Sequence, residues 1–135
     1  MNIQLINDKL LDVLYEKANS SDRNRTNFDL RTNYKDTSQR MLNALEPGTN
    51  VPIHRHEETT ETVICLKGKL DVLIYEELPN MDLGAPGREL RETLRVRLCP
   101  AEKNYGIQIP VGVWHTVEVY EPSVIFEAKD GAYIG

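Results

Sequence analysis

The sequence predicts an all-β domain, an antiparallel sandwich or barrel, with one helix ahead of it. From Arg40 onward, short apolar runs alternate with Pro and Gly, and several are rich in Val, Ile and Tyr, which strands favour. About eight such runs follow one another with no helical segment between them, a pattern typical of antiparallel sheets that close on themselves. The 135 residues give room for one such domain with its own core.

One amphipathic helix is predicted from Asn7 to about Ser20, where Asn7 can cap the first turn and leucines recur at helical spacing. The next segment is polar and has few large apolar residues, so we expect an irregular arm docked at a few points. Residues 1–39 are therefore expected to form a helix and a polar arm packed on the barrel, and residues 40–135 to form the barrel itself.

The later runs differ in how much water they should meet. Residues 72–75 are apolar on both alternating faces, which predicts a central strand covered on both sides. In residues 93–98 leucine and valine alternate with Arg95 and Arg97, which predicts a strand with one wet face. Residues 76–92 contain several Pro and Gly residues and are expected to form a long surface loop, to which the sequence assigns no role.

The composition argues against two classes of partner. The formal net charge of -5 disfavours nucleic acid, because a protein that neutralises phosphates normally presents a basic face. Arg23, Arg25 and Arg31 are diluted by Asp22 and Asp29, so we interpret them as part of a solvated polar segment. No apolar run approaches the roughly eighteen residues of a membrane span, and no basic stretch leads into an apolar one at the start. We expect a cytoplasmic protein with no membrane contact.

Two of the chain's three histidines lie one residue apart. Alternate side chains of an extended strand point to the same side, so His54 and His56 can reach one ion. The polar, turn-like residues after them let the chain reverse and bring Glu61 back beside them, and His115 begins another predicted strand. A lone histidine is by default an ordinary polar residue, but this set of nitrogen and oxygen donors suits a divalent transition metal with open coordination positions.

The spacing resembles the two signature motifs of the cupin superfamily. The first motif matches as Gly48, five residues, His54-x-His56, four residues, Glu61, six residues and Gly68, and the second as Pro110-x-Gly112-x-x-His115. Asn104 and Val119 depart from the second motif, where the family has glycine and asparagine, but neither position is a metal ligand in cupins. The resemblance implies a double-stranded β-helix, or jelly-roll barrel, with one Zn, Fe, Mn or Ni ion per chain on His54, His56, Glu61 and His115.

A narrower resemblance covers nearly the whole chain. The group it resembles is the WbuC group of small cupin-fold metalloproteins, whose genes occur with bacterial O-antigen and surface-polysaccharide clusters. The similar segments are Asn27-Phe28, QRMLNALEPG from Gln39, the HRH core, LKGKLDVLIY from Leu66, IPVGVWHTV from Ile109 and FEAKDGAY from Phe126. The connection at 76–92 is longer than the group's usual turn. The resemblance implies a setting in sugar metabolism, and small cupins usually pair, so we expect a homodimer.

These features predict a metal-dependent enzyme of isomerase, epimerase or lyase type acting on a small sugar-like or sugar-nucleotide substrate in surface-polysaccharide metabolism. Two alternatives stay open: an iron-dependent dioxygenase, and a metal-dependent sugar-binding or regulatory module without turnover. The general base is not assigned. Four strand-borne polar residues are candidates to line the cavity, although each has an equal interpretation as a hydrogen-bonded structural residue: Asn43, Tyr105, Gln108 and Glu127.

Overall fold

The computed structural model describes residues 1–78 and 89–131. In this part of the chain the helix α1 is followed by six strands, all paired in antiparallel fashion. The sheet has the order β1-β2-β6-β3-β4, and β5 pairs with β3 off this path. The elements are α1 (Asp8–Asn19), β1 (Arg25–Asp29), β2 (Ser38–Leu45), β3 (Glu61–Leu78), β4 (Glu89–Leu98), a 3-10 turn (Pro100–Glu102), β5 (Gly106–Ile109) and β6 (Trp114–Asp130).

Two long strands, β3 and β6, fold the sheet over on itself. The first half of β3 pairs with β5 and with the second half of β6, whereas its second half pairs with β4 and with the first half of β6. The register shifts between Cys65 and Leu70, where the two halves meet. Such bulges bend strands, so each long strand contributes to two layers, and the main core lies between them. Its buried members are Leu45, Val63, Cys65, Leu70, Val72, Leu98, Ile109, Val119 and Ile125.

The predicted helix is confirmed within one residue at each end. The Asn7 side chain caps it by accepting a hydrogen bond from the backbone N–H of Leu10 at 3.1 Å. The apolar stripe of the helix is buried and packs on the outer face of β2 and β6, where it covers Leu42, Ala44 and Val124. The helix therefore closes the side of β2 that faces away from the barrel interior.

The polar arm is more regular than the sequence predicts, because Arg25–Asp29 forms the edge strand β1 and pairs with β2. Only Phe28 is apolar in this strand, and it packs against the helix cluster. A strand with a single apolar residue does not show the alternation of apolar and polar residues by which strands are predicted. The sequence pattern therefore misses β1. Two ion pairs, Arg31 with Asp29 and Arg40 with Asp36, stabilise the turn that follows.

Several predicted strand boundaries are wrong, since Gly68 and Pro122 bend continuous strands instead of ending them. The segment around His54 forms only an isolated bridge, not a strand. The predicted loop at 76–92 is shorter than expected, because β3 extends to Leu78 and β4 begins at Glu89; residues 79–88 lie outside the described part of the chain.

The other sequence features have mixed outcomes. Val72 and Leu73 are buried as expected of a central strand. The wet face of β4 is also present, where Arg95 and Arg97 pair with Asp71. Where the second motif lacks its glycine at Asn104, the preceding Lys103 takes the left-handed conformation, with φ of 64°. Over the described residues, no helix is both long and apolar enough to cross a bilayer.

Gly68→Ala should destabilise the protein more than Gly48→Ala. Both glycines have positive φ, which costs about 1–2 kcal/mol for an alanine. A Cβ on Gly68 would also meet the Ser123 hydroxyl and the Pro122 carbonyl, and such overpacking adds about 1–3 kcal/mol. A Cβ on Gly48 meets no atom within 4 Å. Urea denaturation of both variants in the presence of a chelator measures the difference, and equal losses would contradict the close packing at the bend.

Candidate metal centre

The three histidines converge at one point of the barrel. Their ligand nitrogens all lie within 4.8 Å of one another, and the ring centroids of His54 and His115 are 4.3 Å apart. His54 and His115 are joined by two reciprocal backbone hydrogen bonds, of 3.0 and 2.8 Å. The backbone N–H of Gly112 donates to the carbonyl of His56 at 2.8 Å, which ties the same segment to the turn before β6. Backbone pairing therefore brings together histidines that are about sixty positions apart in the sequence.

Backbone carbonyls fix the orientation of two of the rings. Nδ1 of His54 lies 2.9 Å from the carbonyl oxygen of Pro52, and Nδ1 of His115 lies 2.9 Å from that of Val113. A carbonyl can only accept, so each Nδ1 carries the hydrogen and donates it. In the neutral ring the lone pair is then on Nε2. This is how proteins commonly orient an imidazole that binds a metal.

Glu61, the first residue of β3, is buried beside the histidines. One of its carboxylate oxygens is 2.8 Å from Nε2 of His56, and the other is 3.7 Å from Nε2 of His115. Neither contact has hydrogen-bond geometry: both Nε2 atoms are buried and lack a hydrogen-bond partner among the described residues. Buried polar atoms are nearly always satisfied, so two unpaired nitrogens facing a carboxylate fit a cation placed between them.

Electrostatics keep these groups in the protonation states that bind metals. Burial raises the pKa of Glu61, but the contacts with His115 and His56 outweigh it and lower the pKa to about 2. Burial lowers the pKa of His54, although the Pro52 carbonyl opposes this, and the two neighbouring histidines lower it further. At neutral pH Glu61 is therefore ionised and His54 is neutral, which is the ligand form of each.

The histidines and Glu61 line a cavity of about 610 Å³ inside the barrel. A volume in this range holds a small organic ligand. The walls are partly apolar, and the polar residues come from β1, β2, β6 and the segment before β1. The lining residues outside the histidine and Glu61 cluster include Arg23, Arg25, Asn27, Gln39, Met41, Asn43, Val63, Val72, Thr116, Ile125, Glu127 and Lys129.

Two of the four sequence candidates for the cavity lie in it, and two do not. Asn43 and Glu127 are on its wall. Gln108 is exposed and its amide nitrogen lies 3.3 Å from the Thr62 hydroxyl, because Ile109 next to it takes the inward position of β5. Tyr105 precedes β5 and its side chain is 57% exposed outside the barrel. The expectation for these two residues is therefore corrected.

Sequence reasoning also missed six polar residues of the wall. The sequence predicts that Arg23 and Arg25 are solvated, but both line the cavity. Arg25 does so because it lies on β1, whose opposite face carries Phe28. The alternation of Gln39, Met41 and Asn43 in β2 was the available signal for Gln39. The residues missed are Arg23, Arg25, Asn27, Gln39, Thr116 and Lys129.

Glu127 has an environment unlike that of Glu61. It is half-buried, and its remaining exposure is to the cavity it lines. Burial and the negative charge of Glu61 raise its pKa to about 8, although the Asn43 amide and the charge of Lys129 oppose the rise. At neutral pH this carboxyl group therefore holds its proton for much of the time.

The stability of metal-free protein should contain a contribution from Glu127 that falls as pH rises. The pKa of this group goes from an ordinary 4.5 to about 8 on folding, so the folded state keeps a proton that the unfolded state releases. The contribution is fully present below pH 4.5 and is lost as pH rises through 8. Glu127→Gln should remove this slope, and the exposed Glu121→Gln should keep it, in urea denaturation at pH 5 to 8 with a chelator.

The comparison between variants is needed because His54 acts in the opposite sense. Its lowered pKa contributes stability above its unfolded value of 6.5 that is lost as pH falls. That contribution is common to both variants. Identical slopes in Glu127→Gln and the wild-type protein would contradict the raised pKa.

Comparison with solved structures shows the cupin fold. The chain is similar to a cupin-2 domain containing protein from Shewanella frigidimarina, with 18% identity, a TM-score of 0.53, and coverage of 78% of this chain and 79% of that one. The chain is also similar to KdgF from Halomonas sp., with 15% identity and a TM-score of 0.56. The match covers 84% of this chain and 85% of that one. A third similar structure is that of the capsular polysaccharide assembling protein CapF from Staphylococcus aureus, with 20% identity and a TM-score of 0.62. The match covers 84% of this chain and 28% of that one.

The identities are low, so these likenesses show the fold alone, and the chain spans only about a quarter of CapF. A search of curated proteins found no match. Residues 6–82 match the family described as "Domain of unknown function (DUF6016)". This segment covers more than half of the 135 residues, contains three of the four cavity-lining groups that surround the candidate metal position, and includes α1 and β1 to β3. The chain is therefore a cupin-fold protein that belongs to the DUF6016 family.

Proposed function

We propose that the chain is a metalloprotein whose His54, His56, Glu61 and His115 bind one divalent transition metal at the inner end of the cavity. The observation that carries the proposal is the pair of buried, unpaired Nε2 atoms, of His56 and His115, facing the ionised Glu61. Histidine nitrogens with one carboxylate suit Zn, Fe, Mn or Ni alike. A metal held by these four residues would have coordination positions left open to a substrate.

The activity proposed is that of an isomerase, epimerase or lyase on a small sugar-like or sugar-nucleotide substrate. A metal bound here would supply Lewis-acid polarisation of a carbonyl oxygen. Glu127 lines the same cavity and holds a proton near neutral pH, so it is suited to donate or accept one at a substrate atom. The hydrogen bond from Asn43 opposes the rise of the Glu127 pKa. Asn43 therefore helps to set how strongly Glu127 holds its proton.

A setting in surface-polysaccharide metabolism, as in the WbuC group, is part of the proposal. The likeness to CapF, which is described as a capsular polysaccharide assembling protein, is in keeping with it. The cytoplasmic location and the division into residues 1–39 and 40–135 stay predictions from the sequence.

A homodimer is also proposed. Val72 and Leu73 are buried within one chain, so their apolar side chains do not form a surface for a partner. The exposed apolar side chains near the N-terminus support one instead: Ile3, Leu5, Ile6 and Val13. Light scattering at micromolar concentration should give twice the 15.4 kDa chain mass, and a monomer would contradict the proposal.

Replacement of a proposed ligand should remove the metal and leave the fold in place. Protein purified without chelator or nickel resin should carry about one transition-metal ion per chain by elemental analysis. His56→Ala and His115→Ala should lower metal affinity by about 100-fold or more, since even neighbours of a ligand contribute 10–100-fold. Glu57→Ala is the matched control, because Glu57 is exposed and pairs with Arg55.

Two results would overturn the assignment of the site. One is wild-type protein that holds no metal and takes up none on addition. The other is equal loss of metal in Glu57→Ala and in the two histidine variants. Circular dichroism of each variant shows whether the fold is retained.

Isomerases, epimerases and many lyases remove a proton from carbon beside a carbonyl group. Wild-type protein incubated in D₂O with a panel of sugars and sugar nucleotides should therefore place deuterium on substrate carbon, as NMR measures directly. The exchange should stop in His115→Ala and slow in Glu127→Gln by about 10²–10⁴-fold, the usual contribution of a general acid or base. Uptake of dissolved oxygen coupled to substrate loss would indicate a dioxygenase instead. Metal-dependent binding without exchange would indicate a binding module.

A further inference from the structure

Two buried amides of the cavity wall have oxygen atoms without a hydrogen-bond partner among the described residues. Gln39 and Asn43 are 3% and 8% exposed, and both line the cavity. Oε1 of Gln39 and Oδ1 of Asn43 are buried without a hydrogen-bond partner among the described residues. They lie on the same face of β2, four residues apart, so both side chains line the same side of the cavity. Unpaired acceptors require donors, and ligand hydroxyl groups are donors of suitable size.

Three basic residues line the same cavity as these amides. Lys129 of β6 is the register partner of Gln39, and Asn27 of β1 is the register partner of Asn43. Arg23 and Arg25 also line the cavity, and Arg25 is anchored by donating a hydrogen bond to the carbonyl of Asn50 at 2.7 Å. Three cationic side chains thus border one cavity in a chain whose formal net charge is -5.

Two acidic residues line the same cavity as these three cations. Among the described lining residues the carboxyl groups are Glu61 and Glu127. Glu61 is in contact with His56 and His115, at the metal position. Glu127 lies between Ile125 and Lys129 on the wall. Arg23, Arg25 and Lys129 thus outnumber the carboxyl groups of the described lining, and guanidinium groups in particular recognise carboxylate and phosphate oxygens.

We propose that the ligand of this cavity is an anionic polyol, with its carboxylate or phosphate at Arg23, Arg25 and Lys129 and its hydroxyl groups at Gln39 and Asn43. The inference narrows the substrate class of the proposed function and rests on it for the view that the cavity is the active site. The contacts with the anion come from β1, β6 and the segment before β1, and those with the hydroxyl groups come from β2.

Calorimetric titration of metal-loaded wild-type protein tests this inference with three probes that share a six-carbon polyol chain. D-Gluconate and D-glucose 6-phosphate should bind at least about 10-fold more tightly than neutral D-glucitol, in line with the strength of charge-assisted hydrogen bonds. The tighter of the two anions identifies the carboxylate or the phosphate as the preferred group. Raising the salt concentration should weaken the anions more than the neutral probe.

Charge-removing variants locate the anion. Arg25→Gln combined with Lys129→Gln should reduce the preference for the anion over the neutral polyol to about 3-fold or less while metal content stays at the wild-type level. Lys9→Gln is the control, since Lys9 is exposed on α1, outside the cavity, and should keep the full preference. Gln39→Leu should weaken all three probes, because it removes an acceptor of hydroxyl groups.

The outcomes separate this inference from the proposed function. Equal binding of anionic and neutral probes by protein that holds its metal overturns the anionic-polyol inference and leaves the metal-dependent function standing. Preferential binding of anions by a protein that takes up no metal overturns the proposed function and supports the inference. A preference that survives in the double variant overturns the assignment to Arg25 and Lys129.

Discussion

The reciprocal backbone pairing of His54 with His115 is the contact on which the site depends. The segment carrying His54 and His56 belongs to no strand, and its position is set by that pair of hydrogen bonds and by the contact of Gly112 with His56. The Thr116 hydroxyl adds a hydrogen bond to the carbonyl of Val51. Because these links use the backbone, the ring positions follow from the course of β6, which is itself held on both sides by β2 and β3.

The cavity contains two glutamates of opposite character, and their surroundings explain the difference. Glu61 meets two imidazoles, which favour its ionised form despite burial. At Glu127, burial and the negative charge of Glu61 disfavour the ionised form. Asn43 and Lys129 favour the ionised form, but their effect is weaker. One type of side chain thus supplies a fixed negative charge at one point and a bound proton at another. Enzymes that combine a charged and a proton-holding carboxyl group divide the work in the same way.

The sequence predicted the features that depend on local pattern and on motif spacing. The cap and apolar stripe of α1 are local, and the motif spacing placed three histidines together before any contact was known. Prediction from the sequence failed for features that depend on contacts between distant segments. Polar β1 is a strand because β2 offers it backbone partners, and Gly68 bends a strand because Ser123 packs against it. The roles of Arg23 and Arg25 could not be predicted, since they follow from that pairing.

The wall of the cavity has two parts, which differ in whether their strands are paired on both sides or on one side only. The groups that face the candidate metal lie on or against interior strands, whereas Arg25 and Asn27 lie on β1, which is paired on one side only. A side chain on an edge strand has cross-strand neighbours on one side only, so fewer contacts oppose its replacement. The proposed ligand selectivity and the proposed reactivity at the metal are therefore separable in this architecture. A lineage could change what the cavity accepts by altering β1, while the chemistry at its inner end is inherited unchanged.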